Sequence, residues 1–249
     1  PLDHNRRQVK GKGYLTDDLT NHALRFIEEH HEKPFLCYVP FNTPHSPFYV
    51  DDHFYRKFDG LEPAMRNRDP KKEDLPATRA ALAMCENIDW NVGRILKKLD
   101  ALALREDTIV VYFSDNGPNS FRWNGGMKGK KGSIDEGGLR SPFLIRWPGQ
   151  IPAGQTIRQV AGAIDLLPTL TELAQVPVKT AKQIEGRSFA KLLRGNSKAE
   201  WPDRQLFSVW GAKRTTLRTA RFRMDERGAL FDILNDRGQH RNVADQYPD

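Results

Sequence analysis

Thr108-Ile-Val-Val-Tyr-Phe-Ser-Asp-Asn-Gly-Pro118 is the stretch on which the fold turns. Thr108 to Ser114 is β-branched and apolar without a break, which predicts a parallel strand covered on both faces. Ser114-Asp-Asn-Gly-Pro118 then ends it abruptly with turn-forming residues. A strand that stops at two polar side chains, Asp115 and Asn116, offers them where α/β folds bind ligands, outside the carboxyl ends of the strands.

Upstream, Ala77 to Leu104 predicts the longest helix, because Ile88, Val92, Ile95, Leu99 and Leu102 recur at helical spacing as one buried stripe. Phe35 to Val39 reads as a second short buried strand, and Pro40 to Pro47, with three prolines, as the loop at its C-terminal end. Thr16 is the expected N-cap of a helix with Asp17 and Asp18 in its first turn, stopped by Lys33-Pro34. Asp51 to Glu73 is charged and irregular, an expected surface insertion. Downstream, Gly125 to Gly138 holds six glycines and no apolar stripe, Pro142 to Trp147 reads as a strand, and Ala163 to Ala174 as a helix. After about Gly195 the pattern changes to short strands at Leu206–Trp210, Thr215–Thr219, Phe222–Met224 and Leu230–Ile233. Alternating strands and helices predict an α/β fold with a mostly parallel sheet over residues 1–195, followed by a small antiparallel subdomain over 196–249.

The 249 residues suffice for one large domain or a domain with a small companion. The excess of 39 Lys and Arg over 32 Asp and Glu gives a net charge of +7, which favours anionic partners. It is partly local: Phe121 to Trp147 carries Arg122, Lys128, Lys130, Lys131, Arg140 and Arg146 against only Asp135 and Glu136. No zinc-finger, basic-zipper or RNP pattern directs that charge to nucleic acid. No apolar run reaches the length of a membrane-spanning helix. Cys37 and Cys85 have no metal-binding or CxxC spacing and read as packing residues.

Three segments carry chemistry. Asp115-Asn116 offers two hard oxygen ligands for calcium or magnesium, although Asp-Asn-Gly is also an ordinary turn. Lys131-Gly-Ser-Ile-Asp-Glu136-Gly-Gly-Leu-Arg140 places a lysine where glycines let backbone N–H groups approach an anion, or is a flexible basic loop. Asn42-Thr-Pro-His45-Ser-Pro fixes a histidine between prolines, where it can donate a proton to a leaving group or simply be solvated.

Together and in this order, these segments resemble the type I, formylglycine-dependent sulfatases of the alkaline phosphatase superfamily, arylsulfatases among them. Tyr14-Leu-Thr-Asp-Asp-Leu-Thr20, Pro44-His45-Ser-Pro47, Ser114-Asp-Asn-Gly117, Arg146-Trp-Pro-Gly149, Ile164-Asp-Leu-Leu-Pro-Thr169, Glu185-Gly-Arg-Ser188 and Leu230-Phe-Asp232 add to the likeness. It implies hydrolysis of sulfate esters on a sulfated small molecule or glycan. A divalent cation, Ca2+ or else Mg2+, neutralises the sulfate and a formylglycine hydrate attacks sulfur. By resemblance Asp115 and Asn116 are metal ligands, Lys131 contacts the sulfate, and His45 assists the leaving alcohol. Glu136 and Arg140 brace the glycine loop, Lys128 is the alternative lysine, and Arg122, Trp123 and Asn124 are candidate substrate contacts. Family habit places the intact enzyme in the periplasm or outside the cell.

The likeness stops at the nucleophile. The family's Cys/Ser-x-Pro/Ala-x-Arg motif is absent from this sequence; Cys37 is followed by Tyr-Val-Pro-Phe and Cys85 by Glu-Asn-Ile-Asp. The expectation is therefore a C-terminal half, inactive alone, with its N-terminal half as partner and an apolar surface left uncovered. Two other readings stay open: a phosphatase or phosphodiesterase of the same superfamily, and a non-catalytic module that binds sulfated glycans.

Overall fold

Asp74 accepts a hydrogen bond from the Ala77 amide at 3.0 Å and so fixes where the longest helix begins. The computed structural model describes residues 2–195, 200–211 and 214–248, and that helix, Leu75–Ala101, starts two residues earlier than its apolar stripe indicates. It also ends earlier, because Ala103 takes a left-handed conformation with φ 56°. The chain divides into two units: Pro1–Thr108 with Asn119–Trp123, and Ile109–Pro118 with Asn124–Asp249.

In the first unit, β1 (Leu2–His4) and β2 (Arg7–Val9) form an antiparallel hairpin. Helix α1 (Leu15–His30) follows. Its N-cap is Tyr14, not Thr16, since Tyr14 has the extended backbone a cap requires and Thr16 is already helical. The Thr16 hydroxyl instead lies 3.0 Å from the Thr43 hydroxyl and ties the helix to the proline-rich loop. A short helix α2 (Asp52–Tyr55) and a 3-10 turn (Pro70–Lys72) interrupt the otherwise irregular charged segment. The long helix, α3 (Leu75–Ala101), packs against α1 and α2. Ile88 and Leu99 are buried as predicted, while Val92, Ile95 and Leu102 are only partly covered. The rest of the buried face mixes apolar Ala81, Ala83 and Met84 with polar Thr78, Asn87 and Asn91. The Asp17 carboxylate of α1 accepts from Asn87 at 2.9 Å and from Asn91 at 2.7 Å, which satisfies two buried amides.

Phe35–Val39 is not a buried strand. Among the described residues nothing pairs with it, and a strand exists only where a neighbour supplies N–H and C=O groups. Leu36 is 86% and Tyr38 75% exposed, while Phe35, Cys37 and Val39 are partly buried. That two-residue alternation is an extended chain with one apolar face uncovered. Cys85 also departs from expectation, lying on the exposed side of α3.

In the second unit, β3 (Val110–Phe113) pairs antiparallel with β4 (Phe143–Arg146), Val110 opposite Arg146 and Phe113 opposite Phe143. Every ladder among the described residues is antiparallel, so the parallel pairing predicted from the apolar run of β3 is not made within this chain. Its residues are partly covered or exposed rather than sealed on both faces. Helices α4 (Glu136–Leu139), α5 (Leu166–Leu173) and α6 (Ala190–Leu193) follow. Leu173, Phe189, Ala190, Leu192 and Leu193 form the core, with Ile109, Ile145 and Trp147 against it. Buried Asp165 holds the turn before α5: it accepts from the Gly162 and Arg187 amides, each at 2.8 Å, and pairs with Arg204.

The last four strands fall within one residue of where the sequence places them. β5 (Leu206–Trp210), β6 (Arg214–Arg218), β7 (Phe222–Met224) and β8 (Leu230–Asp232) form one antiparallel sheet in sequence order. Residues 196–199, at the expected subdomain boundary, lie outside the described residues.

Candidate functional site

Asp115 and Asn116 stand at the end of β3, the first exposed and the second half-buried. The Asn116 amide donates to the Asp115 carboxylate, so the two side chains touch. The turn that presents them is clamped to the glycine loop. The Gly117 amide donates to the Gly138 carbonyl at 2.9 Å, and the Lys131 amide donates to the Pro118 carbonyl at 2.8 Å. Only glycine fits at 117, because a Cβ there would stand 1.9 Å from the Gly137 carbonyl oxygen. Two segments separated in sequence are thus brought into backbone contact.

Within the loop the two lysines differ. Lys131 is exposed, and its ammonium makes no hydrogen bond or ion pair among the described residues. Lys128 is tied to Asp135 at 3.1 Å and stacks over Phe231, 5.4 Å from the ring centre. Asn124 faces inward and donates to the carbonyls of Met127 at 3.2 Å and Gly129 at 3.0 Å, which gives it a loop-shaping part.

Glu136 is the anchor of this loop. It is 3% exposed and meets three guanidinium groups: Arg223 at 3.0 Å, Arg218 at 3.3 Å and Arg140 at 3.3 Å. Its amide donates to Gln239 at 2.9 Å. The preceding Ile134 carbonyl accepts from Arg223 at 3.0 Å and from Thr216 at 3.2 Å. Burial alone would raise the Glu136 carboxyl pKa; the charges of Arg218, Arg223 and Arg140, with the Arg223 hydrogen bond, outweigh it and hold the group below its usual value.

Sequence reasoning finds Glu136 and Arg140 as braces but misses Arg218, Arg223, Thr216 and Gln239. These partners lie 82 to 103 residues away. The available signal is that Thr216 and Arg218 occupy the buried side of β6, where an apolar pair would be expected.

In the first unit His45 is exposed, and its Nδ1 lies 2.7 Å from the Ser46 carbonyl. A carbonyl only accepts, so Nδ1 carries the proton and Nε2 is the nitrogen left for a ligand. Residues 119–123 belong to this unit and fasten to the same loop. Asn119 donates to the Ser46 hydroxyl at 3.2 Å, and the Arg122 guanidinium stacks over Phe48 at 5.1 Å. Arg122 also donates to Ser120 at 3.1 Å, and its carbonyl accepts from Asn67 at 2.9 Å. It is half-buried and engaged in holding the loop, whereas Trp123 is exposed.

The metal expectation meets a limit in number. Asp115 and Asn116 have the hard-oxygen chemistry that calcium or magnesium requires, but calcium takes about 6–8 oxygens. No group of three or more His, Cys, Asp or Glu that could hold a metal occurs among the described residues. The pair fits as one edge of a coordination shell, not as a whole one.

The sulfatase family matches residues 2–176, and the family described as N-sulphoglucosamine sulphohydrolase, C-terminal, matches residues 129–246. Steryl-sulfatase of Mus musculus is 31% identical over 195 residues, covering 74% of this chain and 28% of that protein. N-acetylgalactosamine-6-sulfatase of Mus musculus is 32% identical over 209 residues, covering 81% and 36%. The solved structure of Ps i-CgsB in complex with k-i-k-neocarrahexaose superposes on all of this chain and 55% of its own, with a TM-score of 0.85 and 27% identity. The chain therefore spans roughly a third of the length of these curated relatives. The match over most of its residues, with an α/β fold shared by solved relatives, shows that the chain belongs to the sulfatase family.

Proposed function

We propose that this chain supplies the sulfate-contacting and leaving-group side of a sulfuric ester hydrolase that acts on sulfated glycans. The observation that carries the reading is the free Lys131 ammonium on a loop clamped by backbone bonds to the Asp115-Asn116 turn. A cation held near two hard oxygen ligands suits an anion whose charge is shared between a lysine and a metal. The neighbour solved with neocarrahexaose favours a glycan over a small aryl ester.

In this proposal Asp115 Oδ and Asn116 Oδ1 hold one edge of a divalent cation, which when bound withdraws charge from the sulfate oxygens. Lys131 binds a sulfate oxygen and orients it. Protonated His45, its Nδ1–H held on the Ser46 carbonyl, donates its Nε2 proton to the departing alkoxide oxygen as the S–O bond breaks and is left as the neutral Nδ1–H tautomer. Glu136 and its arginines keep the loop in one conformation, so that no reorganisation is needed when the anion arrives. The attacking group comes from a Cys/Ser-x-Pro/Ala-x-Arg segment that this sequence does not contain. The chain by itself is therefore expected to bind sulfate and not to hydrolyse its esters.

The test reads the source DNA upstream of the Pro1 codon and assays the encoded polypeptide for free sulfate released from a sulfated saccharide. With the motif in frame, release is expected, and Lys131→Ala or His45→Ala each lowers kcat by about 100-fold or more. A motif-bearing polypeptide that binds the saccharide but releases no sulfate contradicts the proposal and favours a glycan-binding module.

A further inference from the structure

The second unit contains a cavity of about 230 Å³ beside the glycine loop. Lys128, Ile134 and Asp135 of the glycine loop line one side; Arg214 and Thr216 of β6 and Asp225 to Arg227 of the β7–β8 turn line the other. Its charges are mixed. Lys128 pairs with Asp135 at 3.1 Å, and Arg214 pairs with Glu226 Oε2 at 2.6 Å. Asp225 Oδ1 accepts from the Arg227 and Ala229 amides, which sets the turn.

What remains available is an alternation of donors and acceptors. The Arg227 guanidinium is exposed and makes no ion pair among the described residues. Asp135 Oδ2, Asp225 Oδ2 and Glu226 Oε1 carry no hydrogen bond there either. Three carboxylates exclude a bare anion, and three cations exclude a bare metal ion. Ile134 is the one apolar side chain, so an aromatic or lipid ligand gains little. A hydroxyl-rich ring suits the site, because each hydroxyl both donates and accepts and can bridge a carboxylate to a guanidinium. The volume lies below the roughly 300–1,000 Å³ of pockets for drug-sized ligands and so suits one sugar ring, not a chain.

We propose that this cavity is a saccharide subsite that holds an unsulfated sugar ring next to the ring bearing the sulfate. It rests on the sulfatase reading above for its place in the substrate, and on the cavity alone for its ligand chemistry. Lys128 and Ile134 each stand three residues from Lys131, on either side. The same loop thus lines the cavity and carries the sulfate-contacting lysine. Arg227 and Glu226 determine the fit, Arg227 as donor to ring hydroxyls and Glu226 as acceptor.

The experiment follows backbone amide shifts of the labelled chain during titration with N-acetylgalactosamine, its 6-sulfate and inorganic sulfate. The sugar is expected to move Thr216, Asp225 and Arg227. Arg227→Ala and Glu226→Gln, both at exposed positions, should each raise its Kd about ten-fold, the loss of a single charge-assisted hydrogen bond, while Lys131→Ala should not. If the sugar leaves these amides unmoved, or both variants bind it as the parent does, the subsite is overturned. Inorganic sulfate separates the two claims. Sulfate shifts in the Lys131 loop without sugar shifts in the cavity would refute the subsite and leave the sulfatase reading standing. Sugar shifts without sulfate shifts would do the reverse.

Discussion

Arg223 Nε donates to the Glu136 carboxylate at 3.0 Å across 87 residues of chain, with both side chains 4% exposed. This ion pair fastens the loop bearing Lys131 to the C-terminal sheet. It makes that sheet the support of the anion-binding loop, which follows from the further bonds of the same arginine to Ile134 and Thr216.

Glu136→Gln removes one partner of a buried cluster and leaves Arg218 and Arg223 uncompensated, at a cost of about 3–5 kcal/mol. Because the folded pKa of Glu136 is lowered, its contribution is complete above the unfolded value near about 4.3 and is lost as pH falls from there through the folded pKa. Urea unfolding against pH should show a steeper acid loss for the parent chain than for the variant. Equal slopes would remove Glu136 from the account of acid stability.

Gly117→Ala forces a Cβ against the Gly137 carbonyl, and a backbone atom there cannot rotate away as a side chain would. The cost expected is at the upper end of about 1–3 kcal/mol for overpacking, together with shifted Lys131 and Gly138 amide resonances. A variant that melts like the parent with those amides unmoved would show the turn and the loop to be uncoupled.

The extended segment Phe35–Val39 exposes Leu36 and Tyr38 side by side on one face. Such an unpaired edge favours association. Leu36→Lys with Tyr38→Lys should reduce self-association in sedimentation velocity while changing stability by no more than about 0.5 kcal/mol. Unchanged association would place the sticky surface elsewhere.

His45 should carry its neutral-state proton on Nδ1, since that nitrogen faces the Ser46 carbonyl. Long-range proton–nitrogen NMR distinguishes the two tautomers directly. A neutral ring protonated on Nε2 would show that Nδ1 does not donate to the Ser46 carbonyl and would remove the anchor that aims Nε2 at the leaving group.

The strands of the C-terminal sheet are legible because their signals are local: β-branched and aromatic residues such as Phe207, Val209 and Trp210 in β5, and turn residues such as Asp225 and Gly228 between strands. The helix of the Ile88–Leu99 stripe is legible for the same reason, and only its caps, Asp74 and the left-handed Ala103, shift its bounds. Phe35–Val39 is misread as a strand, and β3 is a strand whose pairing direction within this chain is not the expected one, because whether an apolar run becomes a strand, and in which direction it pairs, depends on a partner distant in sequence. At the site, Asp115, Lys131 and His45 stand out by their glycine and proline neighbours. Arg218 and Arg223 do not, because a surface arginine and a buried one look alike until Glu136 is placed beside them.

The central claim is that Lys131 is the anion-contacting lysine of this loop, and sulfate titration of the labelled chain tests it most directly. The account predicts saturable shifts in residues 128–138 that weaken about ten-fold or more in Lys131→Ala and persist in Lys128→Ala, where the lost partner is Asp135. Shifts that survive Lys131→Ala and vanish in Lys128→Ala, or no shifts at any sulfate concentration, would contradict it.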